Sequence, residues 1–162
     1  MDELLPGKPP SASRTVLVQL MGPRDANNMG YVHGGWIMKL VDEAGALACI
    51  RHARRRVVTV AVDRMDFRQP IRLGDLVTLT AEVSYVGMTS METEVHVTAE
   101  NPVTGECTVT NMAYLVYVAP GEDGRPVAVP PLTPETEAER QRMEEGSQRQ
   151  AYRLEQRRRS ES

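Results

Sequence analysis

The sequence predicts an α+β fold, one antiparallel sheet with a long helix packed on its face. Three observations carry this. One internal segment, from Gly34-Gly35 to His52, repeats its apolar residues in step with a helical turn. One β-rich run precedes it and four follow in succession. The breaks between the later runs are short turns, which join antiparallel neighbours; parallel strands need long crossovers.

Composition sets the outer bounds. A chain of 162 residues, 41% hydrophobic and 25% charged, is sized for one domain with a proper core. A net charge of -3 argues against nucleic-acid binding by bulk charge. The start, MDELLPGKPPSAS, lacks the apolar stretch of a signal peptide. No apolar run is long enough to span a membrane, so a cytoplasmic protein with no membrane partner is expected. Cys49 and Cys107 have neither disulfide-scaffold nor metal-site spacing and are expected as small core residues. His33, His52 and His96 lie in unrelated segments, so no metal site is expected.

In order, residues 1–13 read as a flexible tail, 14–119 as the folded domain, and 120–162 as a linker with a charged helical segment. Arg14 to Leu20 is a strand ended by Met21-Gly22-Pro23, and a polar loop with Asp25, Asn27 and Asn28 follows. On the helix, Trp36, Leu40, Ala44 and Leu47 share one face, flanked by Ile37, Val41 and Ala48. The opposite side holds Met38, Gly45, Ala46 and Cys49 around Asp42. Small residues there predict close approach of another backbone, such as a partner subunit. The arginines of Arg51 to Arg56 suit the helix dipole, with a phosphate-bearing ligand as the alternative.

Strands are expected at 57–67, 76–86, 91–99 and 107–119. Val77, Leu79, Ala81, Val83 and Tyr85 share one face of the second; Met91, Thr93, Val95, Val97 and Ala99 share one face of the third. The last strand is apolar on both faces, which predicts a central position. Thr133-Pro134 then opens a solvated, frayed helix with glutamates first and arginines last.

Chemistry concentrates around that first helix. A glycine pair lets a ligand approach the backbone, and free N–H groups at a helix start can hold a developing oxyanion. Gly34 and Gly35 supply the pair, Asp42 a base or nucleophile two turns on, and Asn27 an amide to orient water or carbonyl. These are the parts for acyl hydrolysis, although helix carboxylates and loop asparagines are common. G-x-S-x-G, P-loop and G-x-G-x-x-G signatures are absent.

The stretches DANNMGYVHGGWIMKLVDEAGALACIRH, VVTVAVDRMDF with PIRLGD, VGMTSMETEVHV, NPVTGE and PETEAERQRMEEG resemble the hotdog-fold acyl-CoA thioesterases of the cytosolic, brain-type branch, over roughly residues 14 to 155. The resemblance implies an antiparallel sheet wrapped around a long central helix. It implies a homodimer with paired sheets, usually assembled as a trimer of dimers. It implies an acyl-CoA substrate and no cofactor beyond the coenzyme A that substrate and product carry. Catalytic roles fall on Asn27 and Asp42 from opposite subunits, with Gly34 and Gly35 at the oxyanion. Coenzyme A contacts fall on Val60, Ala61 and Val62, on Thr89, Ser90 and Met91, and on Arg149. The alternatives are a non-catalytic acyl-CoA binding or sensing protein, and a hotdog dehydratase with His33 as its base.

Overall fold

The computed structural model describes residues 5–162. Strand β1 spans Thr15–Leu20 and helix α1 Gly34–Ala53; strands β2 (Val58–Phe67), β3 (Leu76–Val86), β4 (Ser90–Glu100) and β5 (Cys107–Val118) follow, then helix α2 (Glu137–Ser160). The strands form one antiparallel sheet in the order β1-β3-β4-β5-β2. The expected helix, strands and central place of β5 are all present. Only the short β1 and the bulged β2 lie at edges.

α1 crosses the inner face of the sheet. Its fully buried residues are Ile37, Val41, Ala44, Ala48 and Cys49, set against Val77, Leu79, Val83, Val95 and Leu115. That stripe is rotated from the expected one. Leu47 is exposed, while Gly45 and Cys49 are buried against the chain's own sheet. The cause is local. A side-chain carbon at Gly45 would stand 2.5 Å from the Tyr117 hydroxyl and 2.8 Å from Thr93 Oγ1, so only glycine lets β4 and β5 come this close. The backbone expected to approach the small residues from a partner is therefore the chain's own sheet.

Alternation places β3 and β4 as expected, with one exception. The β3–β4 register slips between Val83 and Tyr85. A slip of one residue reverses the faces. Tyr85 consequently leaves the inner face and packs beneath α2 at Gly146. Cys107 is exposed rather than buried, because it lies opposite Glu100 at the open end of the sheet.

Three flanking segments are more ordered than expected. From Gly7 the chain packs along 131–133: Lys8 N–H donates to Pro131 O, Thr133 N–H donates to Lys8 O, and Ser13 is fully buried. The flexible-tail expectation is corrected over these residues; residues 1–4 lie outside those described. The 120–134 linker is a strap that buries Val129 and Leu132 and places Pro130 O 2.7 Å from His52 Nε2. α2 starts at Glu137, capped by Thr136 in a capping box with Glu139, one turn later than Thr133-Pro134 predicts. It lies on the outer sheet face and is not merely solvated. Among the described residues no helix is long and apolar enough to cross a membrane.

Candidate active site

α1 begins at His33, whose extended backbone leads into the first turn. His33 Nδ1 accepts a hydrogen bond from Gly35 N–H at 3.1 Å. Its carbonyl accepts from Trp36 and Ile37 at 3.0 and 3.3 Å. The expectation that both glycine amides are open is thus corrected for Gly35, which the imidazole caps. Gly34 N–H donates to no acceptor among the described residues.

Asn27 lies near this helix start. Its Oδ1 accepts from Met29 N–H at 2.9 Å and Tyr31 N–H at 3.2 Å, closing the loop as asparagines commonly do. Its Nδ2 group donates to nothing among the described residues. A cavity of about 310 Å³ lies between Asn27, Gly34, Phe67 and Pro70.

Asp42 does not line that cavity. Eight residues further along α1 amounts to about 12 Å of rise. The half-buried carboxylate turns toward β2 and β5, where Oδ1 accepts from Thr59 Oγ1 at 2.8 Å and from Tyr117 Oη at 3.0 Å. Burial, then the charge of Asp42, pushes the Tyr117 phenol far up from its ordinary value, so it stays a donor. Oδ2 makes no hydrogen bond among the described residues. The expectation that a partner supplies the cover of this face is corrected to this extent: Asp42's hydrogen bonds come from its own chain. The chain therefore holds two separate polar groups, the Asn27 and Gly34 amides at the helix start and a held carboxylate mid-helix.

On the other side of the sheet, α2 and the β2–β5 edge enclose a groove of about 1290 Å³. Val60, Ala61, Thr89, Ser90 and Arg149, on which the resemblance puts coenzyme A contacts, all line it. Val62 is exposed on the same strand but outside the groove, and Met91 is fully buried in the core with its side chain turned inward. Five arginines (Arg64, Arg68, Arg149, Arg153 and Arg157) face three carboxylates (Asp63, Asp66 and Glu145) over an apolar floor that includes Met112 and Val116. That balance suits a ligand with anionic groups and an apolar body.

A buried carboxylate seats the groove's outer wall. Glu92 is 1% exposed, accepts from Ser84 Oγ at 2.7 Å, and takes a two-bond fork from Arg149 at 3.0 and 2.7 Å. Arg153 Nη1 adds a contact at 3.0 Å and bridges to Asp63. Burial works against the charge of Arg149, but Glu92 outweighs it and raises the guanidinium's pKa. The Arg149 guanidinium lies over the Tyr114 ring at 3.7 Å. Thr59, Tyr117 and Glu92 were not among the residues the sequence singles out. Among the described residues no three His, Cys, Asp or Glu side chains group to hold a metal ion.

The chain is similar in sequence and fold to known proteins. The thioesterase superfamily model matches residues 29–106. The cytosolic acyl coenzyme A thioester hydrolase of Rattus norvegicus is 39% identical over 142 residues, 86% of this chain; the chain spans only 37% of that relative's length. A solved apo-hexameric acyl-CoA thioesterase is 36% identical, with a TM-score of 0.89 over 94% of this chain and 97% of the other. The acyl-CoA hydrolase of Staphylococcus aureus, solved with butyryl coenzyme A, coenzyme A and coenzyme A disulfide, is 32% identical, with a TM-score of 0.88 over 96% of this chain and 95% of the other. Alanine variants of the Staphylococcus enzyme at an aspartate, an asparagine and a threonine have also been solved.

Proposed function

The chain belongs to the hotdog-fold thioesterases, and on that premise we propose that it hydrolyses acyl-CoA to a free fatty acid and coenzyme A. One observation carries the reading: Asp42 has one oxygen tied by Thr59 and Tyr117 and the other without a hydrogen bond among the described residues. A carboxylate so held presents a single basic atom in a fixed direction. As a base, Oδ2 takes a proton from water while the water oxygen bonds to the thioester carbon. Negative charge moves to the carbonyl oxygen, stabilised by Gly34 N–H. The C–S bond then breaks, and the thiolate takes the proton back from Asp42. Direct attack by Oδ2, with water opening the resulting anhydride, gives the same products.

The 12 Å or so between Gly34 and Asp42 along α1 supports a shared active site. Asp42 of one protomer meets Asn27 and Gly34 of another across paired sheets. The β2 edge suits that pairing, since Val58, Val60 and Val62 are each about half exposed on it. Three such dimers would make a hexamer. The arginine-rich groove takes the phosphate-bearing end of coenzyme A, with Val60, Ala61, Thr89, Ser90 and Arg149 at its surface. The main-chain atoms of Met91 and the side chain of Val62 extend that surface. No further cofactor enters the reaction, and the cytosol is the proposed compartment.

The test is thiol release from acetyl-, butyryl- and palmitoyl-CoA, read with a thiol reagent. Thiol release that disappears in Asp42→Ala is the expected result. Binding without release in the unaltered protein would overturn the reading in favour of a carrier or sensor. Dehydration of a hydroxyacyl-CoA would overturn it in favour of a dehydratase.

A further inference from the structure

Tyr117 is fully buried, and its hydroxyl lies 3.0 Å from Asp42 Oδ1 and 3.0 Å from the Asp42 main-chain oxygen. A phenol has one hydrogen, so it serves one acceptor at a time. A carboxylate is a stronger acceptor than a main-chain oxygen and takes it. The approach is deliberate in its geometry. Gly45 leaves room that any side chain would fill, and the buried Thr93 Oγ1 sits against the same spot. Cys49 is the other titratable group felt by the phenol, and burial pushes its thiol up, so it stays neutral. Asp42 is thus the charge beside Tyr117.

We infer that Tyr117 is a positioning residue for Asp42. Its hydroxyl holds Oδ1 against the sheet, which aims Oδ2 at the reacting carbon. This rests on the thioesterase reading above. Tyr117 touches neither substrate nor reacting atoms, so its effect passes through Asp42. Loss of the hydroxyl leaves Asp42 with the Thr59 donor alone and lets the carboxylate turn.

Tyr117→Phe tests this because it keeps the ring and removes the donor. Butyryl-CoA hydrolysis is followed in the unaltered protein, Asp42→Ala and Tyr117→Phe, with the folded fraction of each measured by circular dichroism. In Tyr117→Phe we expect kcat per folded protein to fall about ten-fold and KM to stay within about two-fold. Asp42→Ala is expected to be inactive. An unchanged kcat in Tyr117→Phe beside an inactive Asp42→Ala overturns the inference and leaves the reading standing. Activity surviving in Asp42→Ala overturns both. A merely structural Tyr117 would lower the amount of folded protein with kcat per folded protein unchanged, and that result also overturns the inference. Should Tyr117→Phe not fold, Gly45→Ala decides: it displaces the phenol, so kcat falls with KM held or the inference fails.

Discussion

Thr59 and Tyr117 face each other across β2 and β5, and both donate to the same oxygen of Asp42, at 2.8 and 3.0 Å. A carboxylate with two donors on one oxygen is fixed in rotation as well as in place. Thr59→Val removes one donor at nearly constant volume. We expect kcat to drop about ten-fold with KM within about two-fold. Combined with Tyr117→Phe, the losses should depart from additivity by about 1 kcal/mol, because the two residues share one acceptor. Kinetics of the double-mutant cycle check this, and strict additivity counts against a common role.

Asn27 separates two tasks by atom. Oδ1 closes its loop, and Nδ2 donates to nothing among the described residues. Asn27→Asp keeps the loop closure and loses the open donor, so we expect a folded protein with turnover down about 100-fold. Mixing it with Asp42→Ala, after dissociation and reassociation, should restore activity. A dimer of one variant each contains one intact site, with Asp42 from one protomer and Asn27 from the other. No recovery on mixing would place each site within a single chain.

Much of the Asp42 site was legible because α1 is local. Periodicity along one helix gives its place and its carboxylate among apolar residues. What covers that carboxylate was not legible, because Thr59 and Tyr117 meet Asp42 only through the β2–β5 register, 58 positions apart in sequence. The small residues Gly45 and Cys49 were read correctly as a close approach and assigned to the wrong backbone. Tyr85 was lost to a bulge, which no alternation pattern carries. Alternation puts Glu92, with Glu94 and His96, on the face of β4 opposite Met91, Thr93, Val95, Val97 and Ala99. Only Arg149 and Arg153, far along the chain on α2, turn it into a buried ion.

Glu92→Ala should be costly. It leaves two partly buried guanidinium groups without their shared carboxylate, and breaking a buried ion pair typically costs about 3–5 kcal/mol. We expect a lower urea midpoint and faster amide exchange across α2. Gly146→Ala should act in the same direction, since its new carbon would stand 2.5 Å from Tyr85 Cβ, an atom that cannot move without the strand. Unchanged exchange in α2 would mean that other contacts seat the helix.

Two histidines should tilt stability with pH in opposite directions. The bond to Glu94 raises the pKa of His96 despite burial. Its contribution is therefore full below the unfolded value of about 6.5 and is lost as pH rises through the folded value. Burial alone would raise Glu94, but His96 outweighs it and the carboxyl is lowered. That contribution is present above about pH 4.5 and is lost as pH falls through the folded value. His52 runs against His96. Burial lowers it, partly offset by the Pro130 carbonyl, and Lys8 lowers it further. The unfolded chain then takes the proton first, so stability falls as pH drops from about 6.5 through the folded value. Urea midpoints between about pH 5 and 8 check this. His96→Gln should remove the loss toward high pH, and His52→Gln the loss toward low pH.

The seat of Glu92 also bears on how a ligand comes and goes. Lifting α2 would tear two guanidinium groups from one buried carboxylate, at a cost of several kcal/mol. The helix is a fixed wall of the groove and not a lid. On the proposed reading, a ligand enters and leaves along the groove's open mouth, limited by diffusion and by arginine attraction. Association should slow with added salt, as charge-steered encounters do, and show no separate conformational phase.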